Sequence, residues 1–249
     1  MFSESTNNAL QIIGCGDAFA SGGNFHTCFH LRSGETNILI DCGATTLHGL
    51  RRLQIDPDQI DIILISHLHG DHYAGIPFLL MDAAVRKRQR KLKIITPNTG
   101  KARIKALLQL LYPGSDKTEQ LPVEYIEYKS YEILQLDGIQ VQAYPVVHSK
   151  AALSHGLRIT IGHQVLSYSG DTSWTDNLIP LSDGADLFIC ECNFYNTSTP
   201  THMNYLDLVS KISQLNFNKI LLTHLSEEML ANLDRVDIPV AKDGMTVSF

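Results

Sequence analysis

No apolar stretch in this chain approaches the roughly 20 residues that a helix needs to span a bilayer. The first residues, Met1-Phe2-Ser3-Glu4-Ser5-Thr6-Asn7-Asn8, have neither a basic start nor an apolar core, so no export signal is expected. Positive charge is scarce as well: 20 Lys and Arg face 26 Asp and Glu, for a formal charge of -6. That balance gives no general attraction to nucleic acid or to acidic membranes. A phosphate-bearing substrate would need positive charge supplied locally. The cysteines, Cys15, Cys28, Cys42, Cys190 and Cys192, are odd in number and form no C-x-x-C pair. With no export signal expected, this favours reduced thiols and a cytoplasmic location. Cys190-Glu191-Cys192 reads as two thiols on a buried strand. No Pro/Gly/Ser-rich linker divides the chain. What is present is 44% hydrophobic and 18% charged over 249 residues, enough for a sizeable core and unlike a disordered chain. A single domain over residues 1–249 is the simpler expectation.

The most informative stretch is Ser66-His67-Leu68-His69-Gly70-Asp71-His72. It follows Ile60-Asp61-Ile62-Ile63-Leu64-Ile65, a short β-branched run that reads as a strand buried on both faces. The cluster therefore sits at a strand's carboxyl end, where α/β sheets place their chemistry. Imidazole nitrogen and carboxylate oxygen together suit zinc or a similar divalent ion; manganese or iron can also occupy mixed His/Asp sites. Four potential ligands so close in sequence crowd one another unless they divide between two ions, so a two-metal site is expected.

The rest of the chain alternates strands and helices. Strands are expected at Leu10 to Ile13, Phe25 to Leu31 and Thr36 to Gly43, with a helix at Thr45 to Leu53. Tyr73 to Arg88 reads as one amphipathic helix ending in the basic run Arg86-Lys87-Arg88-Gln89-Arg90-Lys91-Leu92-Lys93. That run could bind phosphate, but a solvated helix end is the plainer reading. A helix of about 16 residues would hold it roughly 20 Å from the histidines. Further strands at Lys93 to Thr96, Val123 through Val147, Gly156 to Ile161, Val165 to Tyr168, Asp186 to Cys190 and Lys219 to Leu222, with helices near Lys101 to Tyr112 and Asn204 to Leu215, suggest helix–sheet–sheet–helix layers. His148, Asp171 and His224 each stand one to three positions beyond an apolar strand, as His67 does. Four strand ends all carrying His or Asp argue for a shared site.

These residues together resemble the metallo-β-lactamase superfamily, whose His-x-His-x-Asp-His signature stands here as His67, His69, Asp71 and His72. The resemblance covers nearly the whole chain and implies an α/β fold, an αββα sandwich of two mixed sheets flanked by helices. It implies that His67, His69 and His148 hold one ion, that Asp71, His72 and His224 hold the other, and that Asp171 bridges both. Asp41 resembles the carboxylate that buttresses the site from behind, and such outer partners orient ligating histidines. Two divalent cations lower the pKa of a shared water and stabilise charge on a phosphoryl or carbonyl oxygen, so hydrolysis is the expected reaction.

Phe188-Ile189-Cys190-Glu191-Cys192-Asn193-Phe194 resembles the His-Glu-Ala-Thr strand of the tRNase Z branch, keeping only the glutamate, and Thr201-His202-Met203 resembles that branch's later histidine. Gly14-Cys15-Gly16-Asp17-Ala18 with Asn24 looks like its opening loop. The resemblance implies that Glu191 and His202, alongside Asp71, serve catalysis: a glutamate holding one imidazole nitrogen leaves the other to donate a proton. It also implies a homodimer. The protruding tRNA-binding arm has no room, because only 22 residues separate His148 from Asp171. A phosphodiesterase without that arm, acting on a small or single-stranded phosphodiester, fits best. A lactonase on the same scaffold is the first rival, and a non-catalytic metal-stabilised binding protein the second. His26 and His30 are expected on one face of a strand. His155, Ser169, Thr172 and Ser226 could touch substrate or support the ligands.

Overall fold

Strands buried on both faces set the architecture. The structure, a computed structural model, describes residues 8–114, 117–136 and 138–249; the residues before Asn8, where an export signal would begin, lie outside them. In chain order the described strands are β1 (Ala9–Gly14), β2 (Cys28–Ser33), β3 (Thr36–Ile40), β4 (Ile62–Leu64), β5 (Leu92–Thr96), β6 (Val123–Glu127) and β7 (Ile133–Leu136). They continue as β8 (Ile139–Pro145), β9 (His155–Ile161), β10 (Gln164–Tyr168), β11 (Leu187–Glu191), β12 (Ile220–Thr223) and β13 (Thr246–Ser248). One sheet has the order β13-β1-β2-β3-β4-β5-β6 and the other β12-β11-β10-β9-β8-β7.

Alternate residues of each strand serve different layers, as the two-residue period of a strand requires. Ile38, Ile40, Ile62 and Leu64 of the first sheet meet Ile159, Leu166, Leu187 and Ile189 of the second in the central core. Leu39, Ile63, Ile65 and Ile94 point the other way, under α1 (Thr46–Arg52), α3 (Ile76–Val85) and α4 (Gly100–Leu111). On the far side Phe188, Cys190 and Leu222 pack with α5 (Leu178–Ser182), α6 (Tyr205–Lys211) and α7 (Glu227–Leu230). The result is the expected sandwich of two mixed sheets flanked by helices.

Strand direction then gathers the loops. β3, β4, β5 and β6 run parallel. β10, β11 and β12 run parallel to one another, and β8 shares their direction because each pairs antiparallel with β9 or its neighbour. Carboxyl ends therefore cluster within each sheet.

Two boundaries differ from the sequence reading. The helix expected over Tyr73 to Arg88 is broken: α2 (Gly70–Tyr73) stops, and α3 starts at Ile76 and ends at Val85. Gly75 is the cause. A Cβ there would stand 2.2 Å from the Gly43 carbonyl oxygen, and its N–H donates to the Cys42 carbonyl at 2.8 Å. Cys42 in turn donates to the His72 carbonyl at 2.7 Å, stitching the signature turn to the end of β3. The second strand also starts at Cys28 rather than Phe25, so His26 lies outside it while His30 stays within it, bonded to Asn37 at 3.0 Å.

The basic run is built into the scaffold. Arg88 is 4% exposed, and its guanidinium donates to the carbonyls of Pro57, Asp58, Ile60, Arg90 and Lys91. Arg86 pairs with Asp56 at 2.7 Å, Arg90 with Asp61 at 2.5 Å and Lys91 with Glu124 at 2.7 Å. These bonds tie the end of α3 to the turn before β4 and to β6, so the run is not the solvated helix end expected: the helix stops at Val85 and Arg88 is buried.

Candidate metal centre and active site

Asp41 stands immediately after β3, and Ser66, His67 and His69 follow β4. Asp71 and His72 ride on α2; His148 follows β8, Asp171 follows β10, Glu191 ends β11 and His224 follows β12. His202 lies in the loop before α6. Both Asp41 (φ 58°) and His224 (φ 62°) hold left-handed backbone conformations. For residues other than glycine that costs of order 1 kcal/mol, and it persists where surrounding structure imposes it, often at functional sites.

The fold brings the scattered residues together. His148 Nε2 lies 3.0 Å from His69 Nδ1 and 3.8 Å from Asp171 Oδ2, and His67 Nε2 lies 3.7 Å from the same Asp171 oxygen. On the other side His72 Nε2 is 3.1 Å from Asp71 Oδ2 and 3.3 Å from Asp171 Oδ1. His224 Nε2 is 3.2 Å from Asp71 Oδ2 and 3.3 Å from Asp171 Oδ2. Asp171 thus faces both groups. In each group, His67–His69–His148 and Asp71–His72–Asp171–His224, potential ligand atoms lie within 4.8 Å of one another.

These residues fit divalent metal. His67 Nε2, His72 Nε2 and Asp171 Oδ1 are buried with no hydrogen-bond partner, a costly arrangement unless something else engages them. Their outward atoms are held from behind. His72 Nδ1–H donates to Asp41 Oδ2 at 2.7 Å. Ser66 donates through its hydroxyl to the same oxygen at 2.8 Å, leaving Ser66 Oγ to accept from His67 Nδ1–H at 3.1 Å. The Ser66 amide completes the clamp on Asp41 Oδ1 at 2.8 Å. His148 Nδ1–H donates to the Thr201 carbonyl at 2.8 Å. In all three rings the Nε2 lone pair is thereby turned toward the cluster, as metal ligation requires. Asn193 lies 3.1 Å from His224 Nδ1 and donates to the His224 carbonyl at 2.9 Å.

The carboxylates dominate the local field. Burial pushes His67 well below its ordinary value and His148 down to about 4. Burial works the same way on His72 and His224, yet the neighbouring carboxylates, Asp171 foremost, overcome it; His72 is raised well above its usual value and His224 to about 9. Asp71 and Asp171 are held low by the histidines around them in spite of burial. Protons and metal ions compete for such nitrogens, so the same field favours cations.

Glu191 and His202 meet as a pair. His202 Nδ1–H donates to Glu191 Oε1 at 2.8 Å. That oxygen also accepts from the Thr172 amide at 2.7 Å, and Oε2 accepts from the Asn193 amide at 3.2 Å. Burial opposes protonation of His202, but Glu191 outweighs it and the imidazole's pKa is raised. His202 lines a cavity of about 650 Å³ together with His69, Asp71, His148, Asp171 and His224.

Other expectations resolve simply. Ser169 Oγ receives the Glu191 amide at 2.8 Å, Thr172 Oγ1 receives the Val147 amide at 3.0 Å, and Ser226 Oγ donates to the Asn193 carbonyl at 2.6 Å. All three support residues beside the cluster, and Ser226 also lines the cavity. His155 bonds Ser130 at 2.9 Å and the Leu153 carbonyl at 2.7 Å. Sequence reasoning missed Ser66 as a link between Asp41 and His67, and it missed the Thr201 carbonyl and Asn193. A hydroxyl directly before the signature was a readable signal for the first; a carbonyl leaves no trace in side-chain identity.

A family model described as Anti-Pycsar protein Apyc1 matches residues 8–239. The chain belongs to the Apyc1 family. This Apyc1-family chain is 29% identical over 220 residues to the probable metallo-hydrolase YhfI of Bacillus subtilis (strain 168), a match covering 87% of this chain and 86% of YhfI. The crystal structure of YhfI, a metallo-beta-lactamase fold protein, matches it with a TM-score of 0.78 at 25% identity, covering 96% and 99% of the two chains. The Anti-Pycsar protein Apyc1 of Bacillus phage 010DV004 is 26% identical over 235 residues, 88% of this chain and 90% of its own. Human short-form tRNase Z shares the fold, with a TM-score of 0.78 at 21% identity over 96% and 98% of the chains. The fold is that of the metallo-β-lactamase superfamily, and the likeness to its tRNase Z branch read from Glu191 and His202 agrees with these neighbours. Among the described residues no helix is long and apolar enough to cross a membrane.

Proposed function

We propose that this chain is a dinuclear-metal phosphodiesterase, one domain acting on a small or single-stranded phosphodiester. The observation that carries the reading is the Glu191–His202 pair, bonded at 2.8 Å in the wall of the cavity that also holds the ligand cluster. His67, His69 and His148 would hold one ion, Asp71, His72 and His224 the other, with Asp171 shared. When bound, divalent cations acidify a water and offset negative charge on a phosphoryl oxygen. The chain's own residues do the rest. Asp41 and Ser66 fix the His72 and His67 rings, and the Thr201 carbonyl fixes His148. Glu191 anchors His202 by Nδ1, so that Nε2 can give a proton to the departing oxygen.

Two features favour a small substrate. Residues 149–170, where a tRNA-binding arm would insert, are taken up by a short helical turn, β9 and β10. The cavity is also lined by Asp17, Glu227 and Glu228 and by no Lys or Arg among the described residues, so a long phosphate backbone would find no partners there. "tRNase Z" in the name of a structural neighbour is consistent with phosphodiester chemistry here.

The test is turnover of bis-p-nitrophenyl phosphate by protein loaded with zinc or manganese, run beside a lactone panel. Chelator-sensitive cleavage of the phosphodiester is expected. Lactone cleavage alone would favour the rival carbonyl hydrolase, and a fully metallated protein inert on both would favour a binding role.

A further inference from the structure

We propose that Tyr128 is a positioning residue for the metal centre, its phenol setting the Ile65–Ser66 turn from which His67 is presented. The inference rests on the reading of the His/Asp cluster as a metal site and adds a residue from outside that cluster. Tyr128 follows β6, the edge strand of the first sheet, two strands away from β4. It stands 62 residues beyond Ser66 in sequence, so only the fold brings the two together.

The Tyr128 hydroxyl lies 3.0 Å from the Ile65 carbonyl oxygen and 3.0 Å from that of Ser66, and donates its one proton to the pair. The Ser66 carbonyl also accepts from the His155 amide at 3.2 Å, so donors from both sheets meet on it. Tyr128 is 5% exposed, and its ring stands edge-on to His155 with centroids 5.2 Å apart. His155 is fixed in turn by Ser130 and the Leu153 carbonyl. Burial lifts the phenol well above its ordinary range, so it keeps the proton it donates.

A buried tyrosine bonded to two buried carbonyls has an ordinary structural use, since such carbonyls are costly to leave unpaired. What Ser66 does with its remaining atoms separates positioning from scaffold. Its amide donates to Asp41 Oδ1, its hydroxyl donates to Asp41 Oδ2, and the same hydroxyl oxygen accepts from His67 Nδ1–H. Every polar atom of Ser66 is engaged, and three of its bonds serve Asp41 or His67. Tilting the Ser66 peptide would therefore swing the relay to His67 as a unit. Ligand constellations need holding to about 0.5 Å and 10–20°. Of the two donors on the Ser66 carbonyl, Tyr128 is the side chain, and so the one that substitution removes.

The experiment is a double-mutant cycle in zinc affinity, read by competition with a chelating dye on wild type, Tyr128→Phe, Ser66→Ala and the double variant. Phenylalanine fills the same space, so the donor goes while the packing stays. Tyr128→Phe should weaken zinc binding about fivefold, below the roughly tenfold that a partner touching the ligand itself is worth. Ser66→Ala already removes the hydroxyl through which Tyr128 acts, so adding Tyr128→Phe should cost at most about a further twofold. Unchanged affinity in Tyr128→Phe, or losses that multiply in the double variant, would overturn the proposal in favour of a purely structural bond. The cobalt-loaded proteins read the ligand geometry directly: the visible bands should move in Tyr128→Phe, and bands identical to wild type would overturn it as well. A wild type that binds no zinc removes the metal reading and this proposal with it; a wild type that binds zinc but cleaves no phosphodiester still decides the cycle.

Discussion

Two regions of this protein are dense in ionisable side chains, and they have opposite fates. At the end of α3 the basic run meets its counterparts: Arg88 is enclosed by five carbonyls, and Arg86, Arg90 and Lys91 have carboxylates within 2.7 Å. At the carboxyl ends of the strands, His67, His72 and Asp171 keep buried atoms without hydrogen-bond partners. A satisfied cluster holds structure together. A cluster whose buried atoms lack partners is arranged for something the chain does not itself supply. Counting charges distinguishes nothing; asking where each polar atom's bond goes separates scaffold from site.

The sharpest way to break the contrast is Asp171→Ala. Removing the carboxylate that faces both groups should lower metal content and leave no measurable turnover, read by elemental analysis beside the phosphodiester assay. His202→Ala should cut the rate by about 10² to 10⁴ with metal content intact, the range for one lost acid–base group. Metal loss in that variant would instead make His202 a ligand, which its proximity to His148 and Asp171 makes worth measuring. Arg88→Met tests the other region: carbonyls left without a donor should cost about 3 kcal/mol of stability in denaturant unfolding, with metal content and kcat unchanged. Smallest is Ser66→Ala. It breaks the relay between Asp41 and His67 and should weaken metal affinity about tenfold in competition against a chelating dye. An unchanged affinity would show that packing alone orients His67.

The layers and the convergence of the His and Asp residues could be read before the structure because both rest on local pattern. An apolar run followed by a lone His or Asp marks a strand end, and four such ends pointed to a shared edge. What could not be read depends on distant parts of the chain. Periodicity runs smoothly through Ala74 and Gly75, yet the helix breaks there, where Gly43, just beyond β3, packs against it. The parity of His26 and His30 suggested a common strand face, but the antiparallel pairing with β1 ends at Gly14 opposite Cys28, and His26 makes only an isolated bridge to Gly16. Burial of Arg88 was hidden for a related reason: its partners are backbone carbonyls, and any sequence has those.

The division of the proposed ligands between the sheets has a mechanical consequence. His67, His69, Asp71 and His72 come from one layer of the sandwich, while His148, Asp171 and His224 come from the other. Ions shared by both sets would act as a clasp across the mouth of the fold, present when it is closed and without a seat when the layers part. Occupancy and cohesion would then rise together, since whatever binds only the folded chain stabilises it. Stripping the cations should therefore loosen the molecule first along this seam, long before the helices at the back feel it.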